Sequence, residues 1–141
     1  MIDPRDVPDV EPEEMLARFI LSRRHIRRGD DTIKPDAFVP HPRDELSVTR
    51  HRDATDDEVW DAGWAVAEVQ RRTLYGRGDV GVAAFLEQGL SVDAAPVIGD
   101  ARLPDNPNHA NVTNWPDEKA QQKRLALEVA AQARLVRPPD R

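Results

Sequence analysis

The residues that could do chemistry fall into three groups. Arg18, Arg23, Arg24, Arg27 and Arg28 surround His25 in a stretch with no acid between them. Guanidinium groups at that density suit an anionic partner, because each offers a fork of N–H donors to carboxylate or phosphate. Arg50-His51-Arg52 is a second basic tip, with His51 a candidate general base. His109 sits among Asn108, Asn111 and Asn114, a cluster able to read a ribose, a base or a peptide backbone, or to satisfy its own turn. The binding set read from the sequence is therefore Arg18, Arg23, Arg24, His25, Arg27, Arg28, Arg50, His51, Arg52, His109 and Asn111.

Several other patterns fail on chemical grounds. The Arg18…His25 spacing fits a loose pattern of metal-independent RNases, but those are all-helical and this chain is rich in proline and strand signals. His25, His41, His51 and His109 show no metal-ligand spacing, so no metal and no cofactor is expected. Gly76-Arg-Gly78 lacks the lysine and following helix of a phosphate loop. Pro116-Asp-Glu-Lys119 spells a nuclease-like string, yet its carboxylates share one helix start. With no cysteine in 141 residues, thiol nucleophiles and disulfides are excluded together.

Charge divides the chain more sharply than its total of −6 suggests. Asp3, Asp6, Asp9, Glu11, Glu13 and Glu14 crowd the beginning, interrupted by Pro4, Pro8 and Pro12. Residues 1–14 therefore read as a flexible acidic leader, a solubilising tail or, alternatively, a segment that folds back to screen the arginines that follow. Residues 15–137 read as one domain. No apolar run approaches the ~20 residues of a membrane span, and the acidic start is unlike a signal peptide, so a cytoplasmic protein is expected.

The elements that must position these groups follow from pattern. Glu13–Ile20 suits a short helix or a strand, with Phe19, Leu21 and Ile26 facing inward, and Gly29-Asp-Asp31 breaks the chain. Residues 32–45, with Pro35, Pro40 and Pro42, read as an extended connection. Leu46–Arg50 alternates, putting Leu46 and Val48 on one face of a strand. Thr55-Asp-Asp-Glu58 is a capping box opening a helix over 55–73, whose stripe is Val59, Ala62, Gly63, Val66 and Val69. Trp60 and Trp64 share a face of that helix.

Val80–Phe85 and Gly89–Val92 read as two short strands or a strand and a helical turn, and 94–108 as a loop. His109–Trp115 alternates again. Pro116 opens a last helix to about Leu135, with Leu125, Ala126, Val129, Ala130 and Ala133 as its stripe. The order predicts an α+β fold, a mostly antiparallel sheet with two long helices packed on one face.

Lys34-Pro-Asp-Ala-Phe38-x-Pro40, Glu45-Leu-Ser-Val48, Gly89-Leu-x-Val92 and His109-Ala-Asn-Val112 together resemble a group of small bacterial proteins, over about residues 18–135. That resemblance implies one shared fold across these segments and brings no activity or site residue with it. Three functions are compatible with the residues. The leading one is a non-catalytic accessory protein that recognises an anionic partner, a protein or a nucleic acid, through the arginines. The others are a small enzyme acting on RNA or a nucleotide with His51 or His109 as base, and an antitoxin-like partner protein. The sequence sets no oligomeric state.

Overall fold

The computed structural model describes residues 6–40 and 45–140. His41 and Pro42, and the first residues of the leader, lie outside them. The fold is α+β. A six-stranded antiparallel sheet has the order β6-β7-β4-β1-β5-β8, built from β1 (Met15–Ile20), β4 (Leu46–Arg50), β5 (Gly76–Gly81), β6 (Ser91–Ala94), β7 (His109–Thr113) and β8 (Arg134–Val136). A separate hairpin joins β2 (Ile26–Arg27) to β3 (Thr32–Ile33). The helices are α1 (Asp56–Gln70), the short α2 (Val82–Leu86) and α3 (Lys119–Gln132).

Helix α1 begins as its sequence dictates. Thr55 Oγ1 accepts from the Glu58 N–H at 3.2 Å, and a Glu58 carboxylate oxygen accepts from the Thr55 N–H at 3.0 Å. The helix ends earlier than expected, because Arg71 takes a left-handed conformation, φ 54° and ψ 46°. Its buried stripe is Val59, Trp60, Gly63 and Ala67, and Val69 is exposed.

The two long helices do not share a face of the sheet, and this corrects the expected packing. Register pairs Phe19 with Arg77 and Arg18 with Gly78 on the neighbouring strands β1 and β5. Phe19 belongs to the small cluster under α1 with Trp60, Ala67 and Leu74, and Arg77 lies over the Trp60 ring. The other face, with Leu16, Ile20 and Val80, joins Phe38, Phe85 and the α3 residues Ala126 and Val129 in the main core. The physical reason lies in β1, where Leu16, Ala17 and Ile20 are all fully buried. A central strand without a wet face must be covered from both sides.

Two elements differ from the reading by pattern. Strand β5 begins at Gly76, before the Val80 start expected, with Val82–Leu86 helical, and α3 stops at Gln132 so that Arg134–Val136 can pair with β5. Residues 6–14, expected to be mobile, have definite partners. Val10 packs on the main core, and the carbonyls of Pro8 and Asp9 accept from Arg50. Among the described residues no helix is long and apolar enough to cross a membrane.

Candidate functional site

The site begins with an interrupted ladder. Strands β1 and β4 pair at Leu16↔Arg50 and Ala17↔Thr49 and no further, although each continues along its other neighbour. The His51 N–H donates to the Met15 carbonyl at 3.0 Å, so every second residue of β4 faces β1. Continued at that register, the Phe19 N–H would take the Ser47 carbonyl. Arg18 takes it instead, through Nη1 at 3.0 Å, while its Nε donates to the Ala37 carbonyl at 2.8 Å. A side chain thus stands where a ladder hydrogen bond would close the sheet.

The gap opens into a cavity of about 730 Å³. Its walls include Phe19 and Leu21 after the gap, Ser47 and Thr49 on β4, Ala62 and Val66 on α1, and the loop around Leu103–Asn106. Lys119 and Lys123 of α3 also line it. The lining thus reaches from α1 to the start of α3 alongside the β1–β4 gap.

Arg18, His25 and His109 are the wall groups whose ionisation the cavity shifts. Burial pushes the Arg18 guanidinium down to about 10, and no carboxylate among the described residues pairs with it. His25, also on the wall, is held below its ordinary 6.5 by burial first and then by the charges of Arg18, Lys34 and Arg72, against the pull of Asp36. His109 donates from Nδ1 to the Ala95 carbonyl at 3.0 Å, which leaves Nε2 as an acceptor on the neutral ring. Burial lowers its pKa, outweighing that hydrogen bond and the charge of Glu45.

The remaining predicted residues are distributed elsewhere. Arg23, Arg24, Arg27 and Arg28 are exposed on a 3-10 turn, Arg23–His25, and the β2–β3 hairpin. Arg23 lies 5.6 Å from the Tyr75 ring centre. Arg50 is no contact residue: its side chain is fully buried in a forked pair with Glu14, Nε–Oε1 2.7 Å and Nη2–Oε2 2.8 Å. It faces inward because Leu46, Val48 and Arg50 alternate onto one side of β4. Arg52 pairs with Asp53, and its carbonyl accepts from Asn108. Asn111, half-buried, faces Ser47 and Asp93 in register.

His51 belongs to a network that the sequence did not reveal. Its Nε2 donates to Asp79 Oδ1 at 3.1 Å, and Asp79 also accepts from Arg77 Nε at 3.0 Å. Arg77 reaches on to Asp56 at the start of α1 and covers Trp60 at 4.6 Å. Burial works to raise the Asp79 pKa, but hydrogen bonds from His51 and Arg77 and their charges overcome it, so the carboxylate is ionised. This arrangement ties α1 to β5 and uses up the Trp60 face that stacking on a base would need.

The missed site residues are Lys119, Lys123 and Arg72, which meet the cavity from distant positions. Lys123 is 3.7 Å from Asp36. Among the described residues no group of His, Asp and Glu is placed to hold a metal ion. No family model, no curated protein and no solved structure matches this chain.

Proposed function

We propose that the chain is a non-catalytic cytoplasmic accessory protein that recognises an acidic protein segment through the exposed arginines of its first turn and hairpin. One observation carries this reading. Arg23, Arg24, Arg27 and Arg28 are exposed and form no ion pair among the described residues, whereas Arg50, Arg52, Arg77 and Arg137 each hold a carboxylate. Exposed, unpaired guanidinium groups are ready to meet carboxylates without first breaking internal bonds. The net charge of −6 disfavours a long nucleic acid.

The test is fluorescence anisotropy with a labelled glutamate-rich peptide and a single-stranded RNA of equal length. The peptide should bind, more weakly as salt rises, and changing all four arginines to Glu should abolish binding. Peptide affinity that survives the charge reversal overturns the proposal. Tighter binding of the RNA through the same arginines reassigns the partner to nucleic acid.

A further inference from the structure

We infer that the cleft between β1 and β4 is a binding site for a nucleoside monophosphate or a closely similar phosphorylated molecule, with Arg18 holding the phosphate. This goes beyond the surface proposed above, since none of Arg23, Arg24, Arg27 and Arg28 lines the cavity.

The guanidinium is fixed before any ligand arrives. Bonds to the Ala37 and Ser47 carbonyls hold Nε and Nη1, and they leave Nη2 and one N–H of Nη1 without a partner among the described residues. A half-buried cation that lines the cleft with unused donors and no carboxylate is an incomplete ion pair. An oxyanion entering the cleft completes it, and the rotamer entropy that usually opposes such a bond has already been lost.

Size and wall chemistry narrow the ligand. The volume of about 730 Å³ suits a small organic molecule, for which cavities of roughly 300–1,000 Å³ are usual. Phe19, Leu21 and Val66 give an apolar wall for a flat body, and the His109 Nε2 can accept from a hydroxyl or an exocyclic amine. Asp36, Glu45 and Asp105 line the same cavity and interrupt its cations Arg18, Arg72, Lys119 and Lys123, so no continuous basic track runs through it. One compact anionic group fits that pattern better than a run of them.

The experiment is an amide NMR titration of the intact chain with AMP, adenosine and inorganic phosphate. AMP should produce saturable shifts at Phe19, Ser47, Val66 and His109, with adenosine and phosphate each binding at least about tenfold more weakly. Arg18→Ala uncovers two carbonyls and can cost the fold, so Val66→Trp, which fills the cleft from α1, serves as the second variant. It should remove AMP binding while shifts from the glutamate-rich peptide at Arg23–Arg28 persist. Charge reversal of Arg23, Arg24, Arg27 and Arg28 should leave the AMP affinity unchanged. No saturable shift at millimolar AMP, shifts confined to the arginine turn, or AMP binding that survives Val66→Trp overturns the inference, while the peptide and RNA anisotropy decides the arginine surface separately.

Discussion

Glu14 and Arg50 form a two-point pair at the end where β1 and β4 are joined, with Nε–Oε1 at 2.7 Å and Nη2–Oε2 at 2.8 Å. The Arg50 side chain has no solvent exposure and Glu14 keeps 15%. Removing one partner strands the other charge, which costs about 3–5 kcal/mol for a fully buried pair. Glu14→Gln should therefore destabilise the protein by about 3 kcal/mol in urea unfolding, at the low end because Glu14 touches water. Burial works to raise the Glu14 pKa, but the Arg50 bond, the Glu11 N–H and the charges of Arg50 and Arg52 bring it below 4.5. The pair's contribution is complete above that value and is lost as pH falls through the lowered one. The gap between wild type and Glu14→Gln should close in acid; a constant gap would show that the charge is not what matters.

His25 and His109 should both titrate below 6.5, since burial disfavours the charged ring at each. Protons then bind the unfolded chain first. The stability tied to these neutral rings is whole above 6.5 and declines as pH drops toward their folded values. Carbon-detected imidazole titration reads this directly. A His109 that titrates above 6.5 would mean that the Ala95 hydrogen bond and the charge of Glu45 outweigh burial.

Gly76→Ala tests the seam between β5 and β8. An added Cβ would lie 2.9 Å from the Val136 carbonyl oxygen and 3.1 Å from Leu135 Cδ1. A backbone carbonyl cannot swing away as a side-chain tip can. The expected loss is about 1–3 kcal/mol, with faster amide exchange in Arg134–Val136 than at the Leu46–Arg50 strand. Unchanged exchange in β8 would contradict the close approach.

The two ends of α1 should respond in opposite directions. Thr55→Ala removes the cap and should cost about 1 kcal/mol. Arg71→Gly relieves a left-handed residue at the other end and should gain about 1 kcal/mol. Thermal unfolding midpoints give both signs, and a destabilising Arg71→Gly would rule out relief of backbone strain.

Much of this architecture is written in short-range pattern. Leu46 and Val48, the Thr55–Glu58 box, and Ala110 with Val112 announce β4, α1 and β7 without any knowledge of partners. Strand β5 is silent because its positions answer to neighbours: Gly78 is small where Ile33 and Phe38 press on it, and Arg77 and Asp79 are polar beneath α1. Strand β8 is hidden because Leu135 continues the apolar spacing of α3.

The site was legible in one respect that charge counting obscures. Leu16, Arg18 and Ile20 alternate as Leu46, Val48 and Arg50 do, and in each set an arginine shares its side with core residues. Grouping Arg18 with Arg23–Arg28 by sign alone hides this parity. What alternation cannot supply is the partner, because Ser47 and Glu14 are brought up by tertiary pairing. The cavity's lysines come from α3, far along the chain, and no local pattern ties them to Arg18.

A ladder that closes at Ala17↔Thr49 and then parts makes the sheet two panels, β6-β7-β4 and β1-β5-β8, joined along a short seam. The Glu14–Arg50 clasp sits at that seam, and the Arg18 strut spans the part that gapes. Whatever wedges the panels apart at the strut must therefore lever against the clasp, so that filling the mouth would be felt as tension in the acidic leader at Pro8 and Asp9.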